Sequence, residues 1–142
     1  MWFSRKQEAG RRAPPVQGQV TTKSRGDAAE SAALACLIKG GLKFVEANYR
    51  TPGRGGGEID LIMRARDGTL VFVEVRQRSA TSHGGAAASI GLTKQRRIIF
   101  AARHYLVRFS SAPPCRFDVV LVQGGLQADA QIEWLVAAFD AS

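Results

Sequence analysis

Apolar positions follow a helical period in two segments of the chain and a strand period in the segments between and after them. In "GDAAESAALACLIKGG", Leu34, Leu37 and Ile38 form an apolar stripe, which predicts a helix over 27–39 stopped by Gly40 and Gly41. "LKFVEANYR" predicts a strand over 42–50, and "TPGRGGG" (51–57) a loop rich in chain-breaking residues. Two further strands are predicted over 58–64 and 70–78. After a loop of small residues, "TKQRRIIFAARHYLVRF" carries Ile98, Ala102, Tyr105, Leu106 and Phe109 on one helical face, with Thr93 as the expected N-cap. Pro113 and Pro114 interrupt the chain, "CRFDVVLVQ" (115–123) predicts a strand, and "AQIEWLVAAF" (130–139) a strand or short helix. The order α-β-β-β-α-β predicts an α/β domain in which helices flank a mixed β-sheet.

Three carboxylates break the apolar rhythm of the middle strands: Glu58, Asp60 and Glu74. The turn "RDG" sets their register. A three-residue hairpin loop with Gly68 in the left-handed region pairs Ala65 with Thr69, Ile62 with Phe72, Asp60 with Glu74, and Glu58 with Arg76. Asp60 and Glu74 then share a face among apolar neighbours, where like charges repel and desolvation adds to the cost. Three arrangements relieve this: one carboxyl keeps a proton, Arg76 neutralises the pair, or a divalent cation sits between them. Oxygen ligands of this kind suit Mg²⁺ or Mn²⁺. Glu30 lies on or beside the stripe of the first helix and either projects toward this pair or reaches water at the stripe's edge. Glu58 is expected to form an ion pair with Arg76.

Charge adds a partner to this picture. The 142 residues carry a net charge of +8, with a pI near 10.3, which favours a polyanion such as nucleic acid. Residues 1–25 hold Arg5, Lys6, Arg11, Arg12, Lys23 and Arg25 against Glu8 alone and are expected to form a flexible basic arm ahead of one domain over 26–142. No apolar segment suits a signal peptide or a membrane span, so a cytoplasmic protein is expected. Cys36 and Cys115 are expected to be reduced and packed in the core. His83 and His104 are expected to be ordinary polar residues, since neither stands at zinc-ligand spacing with a cysteine.

The helix bearing Glu30, then "GEIDLI", then "VFVEVRQR", resembles the PD-(D/E)xK nuclease superfamily, whose restriction-endonuclease-like core also serves archaeal Holliday-junction resolvases. More narrowly, "GGGEIDLIMR", "FVEVRQRS", "HGGAAASI", "TKQRRI" and "CRFDVV" resemble the YraN family in order and spacing, over about 26–139. The resemblance implies metal-assisted phosphodiester hydrolysis, by an endonuclease or an exonuclease. Asp60 would be the central metal-binding aspartate, Glu74 a second ligand, the Val75 carbonyl a third, and Glu30 the helix glutamate some members add. Arg76 stands where the superfamily usually has lysine. An arginine stays protonated, so it can hold a phosphate or stabilise transition-state charge but does not serve as a general base.

Lys94, Arg96, Arg97, Arg103 and Arg108 follow on a helix with no acid of its own and, with Arg78, are expected to contact phosphates, unless they form a plain solvated face. Gln95 stands where it can reach the site. Asp118 is expected to form a structural ion pair. The function expected is a nuclease acting on DNA, branched or single-stranded forms included. The alternatives are a nucleic-acid-binding protein that no longer cleaves and a protein-interaction module on the same fold.

Overall fold

The computed structural model describes residues 22–78, 90–123 and 131–141. Helix α1 spans Thr22–Lys39, followed by strands β1 (Lys43–Arg50), β2 (Glu58–Arg64) and β3 (Leu70–Arg78), helix α2 (Leu92–Leu106), and strands β4 (Cys115–Gln123) and β5 (Gln131–Phe139). One five-stranded sheet runs in the order β1-β2-β3-β4-β5. β1 pairs antiparallel with β2 and β2 with β3, β3 and β4 are parallel, and β5 returns antiparallel to β4. A parallel pair needs a crossover, and α2 supplies it. This is the expected α/β class, a mixed sheet with two helices, consistent with a restriction-endonuclease-like core.

Each helix covers one face of the sheet. Ala29, Ala33 and Leu37 of α1 pack on Leu61, Met63, Val71, Val73, Val120 and Val122. Ile98, Ala101, Ala102 and Tyr105 of α2 pack on Ile59, Ile62, Leu70, Phe72 and Phe117. Along β3 and from Leu61 to Met63 of β2, neighbouring residues alternate between the two clusters, as the pleat requires; Ile59, two residues from Leu61, lies in the other cluster, so the alternation breaks at Asp60. β4 is buried from Phe117 to Val122 because it is central and covered on both sides.

Some local expectations change. α1 starts at Thr22 and so takes in 22–25, which the sequence assigned to the arm; residues 1–21 lie outside the described set. Its buried stripe is Ala29, Ala33 and Leu37 at four-residue spacing, whereas Ile38 is half exposed. The larger apolar residues suggest a different face because small alanines let α1 sit close to the sheet. Gly91, not Thr93, caps α2. The last apolar run is a strand, not a helix. Both cysteines are free as expected, but Cys36 is half-buried and Cys115, first residue of an otherwise buried strand, is exposed. His83 lies outside the described residues. Among those residues no helix is long and apolar enough to cross a membrane.

Asp118 is the polar anchor of the far side of the sheet. Its fully buried carboxylate accepts from the Arg116 guanidinium at 3.0 Å, Trp134 Nε1 at 2.9 Å and the Ala137 N–H at 2.9 Å. This is the expected ion pair with two further donors. It holds β5 in place at Ala137, whose φ of +51° lies in the left-handed region.

Candidate active site

The hairpin closes in the register set by its turn. The Ala65 N–H donates to the Thr69 carbonyl at 2.9 Å, Gly68 has φ +92°, and Ile62 pairs with Phe72. Pairing continues to Leu61–Val73 and stops there. Hydrogen-bonded pairs alternate along an antiparallel ladder, so after 65–69, 63–71 and 61–73 the next would join Ile59 and Val75. Instead, the Val75 N–H donates to Asp60 Oδ2 at 2.8 Å. A side chain has replaced a backbone acceptor, and the strands part at that point. In a strand the N–H and C=O of one residue point to the same neighbour. The Val75 carbonyl therefore faces the same gap.

Glu74 enters the gap from β3 with its side chain 8% exposed. Burial, then the charge of Asp60, push its carboxyl up from 4.5 to about 7. Lys94 and Arg76 act the other way and are outweighed. Burial also raises Asp60, opposed by the Val75 N–H and by the Glu74 carboxyl. Both shifts favour a proton held between the two carboxyls below about pH 7, with Glu74 the donor and Asp60 the acceptor. Of the cations that oppose the Glu74 shift, Lys94 acts more strongly than Arg76. Lys94 Nζ, from the first turn of α2, lies 3.6 Å from Glu74 Oε2. The sequence placed Lys94 only in a basic stripe, because nothing in spacing reveals that α2 starts beside the hairpin's open end.

Glu30 is half-buried on α1. Its carboxyl is raised by burial and then by Asp60, and it accepts a hydrogen bond from Asn48. Asn48 has φ +55°, a conformation that asparagine tolerates. Glu30 thus feels the pair electrostatically, yet among the described residues no three His, Cys, Asp or Glu side chains gather closely enough to hold an ion. The set in place is two carboxylates and a carbonyl. That fits Mg²⁺, which usually takes one or two carboxylates and completes its shell with water and substrate phosphate.

Other expectations resolve differently. Glu58 pairs with Arg50 across β1 at 3.4 Å, not with Arg76, because the ladder to β3 has ended before it. Arg76 is half-buried and acts on Glu74 through its charge. Gln95 Nε2 donates to the Ile90 carbonyl at 2.7 Å and so holds the entry to α2. Of Arg78 only the backbone is described, paired with Gln123. The basic stripe divides. Lys94 and Arg97 line a cavity with the 51–57 loop. Arg96 and Arg103 border a separate cleft with Phe100. Arg108 lies 3.8 Å over the Tyr105 ring and near Glu46. His104 bonds the Tyr49 hydroxyl at the surface.

The family described as "Uncharacterised protein family UPF0102" matches residues 29–122. A UPF0102 protein of Polaromonas naphthalenivorans (strain CJ2) is 68% identical over 153 residues and covers all of both chains. One of Polaromonas sp. (strain JS666 / ATCC BAA-500) is 70% identical over 151 residues, again across both full lengths. One of Cupriavidus pinatubonensis (strain JMP 134 / LMG 1197) is 57% identical over 120 residues, 84% of this chain and 88% of the relative. The chain belongs to UPF0102, which is the YraN family its motifs resemble.

Proposed function

We propose that the protein is a divalent-metal-dependent nuclease that hydrolyses phosphodiester bonds in DNA. The observation that carries this reading is the gap itself: Asp60, Glu74 and the Val75 carbonyl converge where the ladder opens, in a chain of net charge +8. A bound Mg²⁺ or Mn²⁺ would supply Lewis-acid polarisation of the phosphoryl group and an acidified water. Asp60 presents a carboxylate already oriented by the Val75 N–H. Glu74 would have to give up its proton to hold the cation, which would couple loading to deprotonation near neutral pH. Lys94 brings an ammonium group to the place that Arg76 cannot fill as an adaptable base, and holds a phosphate oxygen beside Glu74. Arg76 adds fixed positive charge for the transition state.

The test is nicking of linear, branched and single-stranded DNA by purified protein with Mg²⁺ or Mn²⁺, beside Asp60→Ala and Glu74→Ala. Cleavage lost in both variants supports the reading; cleavage retained in both assigns the activity elsewhere. Arg76 at the lysine position favours a second reading, a nucleic-acid-binding protein that does not cut. It predicts metal-independent, salt-sensitive DNA binding with every substrate left intact.

A further inference from the structure

We infer that the cleft between the 51–57 loop and the start of α2 is a phosphate subsite, holding a phosphate of the nucleic-acid strand next to the carboxylate pair. The inference rests on the nucleic-acid reading above and adds a place and residues to it. The cavity measures about 470 Å³ and is lined by Arg50, Gly53, Gly55, Glu58, Lys94 and Arg97 among others. Lys94 belongs to both places: it lines this cavity and sits 3.6 Å from Glu74. Lys94 therefore links the wall of the cleft to the carboxylate pair.

Charge in the cleft is unbalanced. Three cations face the single carboxylate of Glu58. Glu58 engages Arg50 in a largely exposed pair, whose side chains are 47% and 72% accessible. Such pairs hold weakly, so Arg50 is available to an anion. Among the described residues, no acidic partner stands within ion-pair distance of Arg97.

The loop is built, not loose. The Thr51 N–H donates to the Gly57 carbonyl at 3.0 Å, and the Gly57 N–H donates back to Thr51 Oγ1 at 2.8 Å, which closes 51–57 into a ring. Gly57 lies so close to α2 that a Cβ there would stand 1.9 Å from the Arg97 carbonyl oxygen. At the loop's tip, Gly53 and Gly55 have φ of +85° and +68°, and nothing lies within 4 Å of where a Cβ would be. The tip therefore presents bare backbone to the cleft, which lets a phosphate approach closely. A concave wall of glycine backbone, closed at its base and facing three cations, suits a sugar-phosphate chain, which offers negative charge at regular intervals.

The test is fluorescence anisotropy of short labelled single strands and duplexes in EDTA, with salt varied, so that binding is read apart from cleavage. Arg97→Ala removes one cleft cation from an exposed position. Arg66→Ala removes the same charge from the hairpin turn, beyond the Arg64 end of β2, whereas the 51–57 loop adjoins its Glu58 end. Arg97→Ala is expected to weaken binding about tenfold and to flatten the salt slope by about one. Arg66→Ala is expected to leave the slope unchanged. Equal losses in the two variants, no loss in Arg97→Ala, or no binding by the native chain each overturn the subsite. Strands with a 5′-phosphate separate the two sources of the group: an Arg97-dependent gain over 5′-hydroxyl strands means a terminal phosphate, and equal binding of closed circles means an internal one. Arg97-dependent binding without cleavage keeps the subsite and removes the nuclease. Cleavage whose KM ignores Arg97→Ala keeps the nuclease and removes the subsite.

Discussion

Replacing Glu74 by glutamine should make the fold more stable and the site unable to load metal. In the native chain below about pH 7, a proton on Glu74 is favoured between it and the Asp60 carboxylate. A glutamine amide donates in the same place without ever having to ionise. The folded-state carboxyl is pushed up from 4.5 to about 7, so between these values the folded chain holds a proton that the unfolded chain has released. Stability of the native protein therefore falls as pH rises from about 4.5 to about 7 and stays at the lower level above that. A tenfold change in proton affinity is worth about 1.4 kcal/mol, which makes the loss about 3–4 kcal/mol at most. Glu74→Gln should abolish most of it. Urea denaturation in EDTA should show the variant about 2–3 kcal/mol more stable near pH 8, a Tm gain of about 5–10 °C, and no difference near pH 4.5. Mn²⁺ at about a hundred times its Kd should then raise the native protein by about 2.7 kcal/mol and leave Glu74→Gln unmoved. A stability difference that does not change with pH, or a variant less stable than the native chain near pH 8, would refute the account of a strained pair.

Other expectations follow from the same contacts. Asp60→Ala strands the Val75 N–H, whereas Asp60→Asn keeps an acceptor, so chemical denaturation should find the alanine variant about 1–3 kcal/mol the weaker of the two. Asp118→Ala leaves Arg116, Trp134 Nε1 and the Ala137 N–H without their shared acceptor; a loss of about 3–5 kcal/mol is expected in urea melts, and a loss below about 1 kcal/mol would contradict the anchoring role. Gly57→Ala forces the loop off the Arg97 carbonyl, and calorimetry should register a loss of about 1–3 kcal/mol. Lys94→Met removes a charge that holds Glu74 down, so the pH midpoint of Mn²⁺ binding, followed by titration calorimetry, should move upward.

Much of the hairpin could be read from residues alone, because its turn permits few geometries. Arg66, Asp67 and Gly68 favour a three-residue loop, and the loop dictates which residues oppose each other down to Leu61 and Val73, one step short of Asp60 and Glu74. The strand boundaries were legible for a similar reason: period-two patterning is local. The partner of Glu58 was not legible. It depended on whether the ladder continued past Leu61, and that was decided by a side chain taking over a backbone bond. Lys94 was missed for a different reason: its place beside Glu74 depends on the angle at which α2 crosses the sheet, and no short-range pattern encodes that angle. The buried stripe of α1 went to Ala29 and Ala33 rather than Ile38 because close approach to the sheet favours small residues over large ones.

The bond from the Val75 amide to Asp60 has one more implication. One carboxylate oxygen is already committed, so the side chain's torsions are settled when the chain folds and not when a visitor arrives. An incoming cation would meet an oxygen already aimed, with little freedom left to lose on capture. Pulling that aspartate aside would unfasten the last rung of the hairpin, so weaker chelation and greater local fraying should come together.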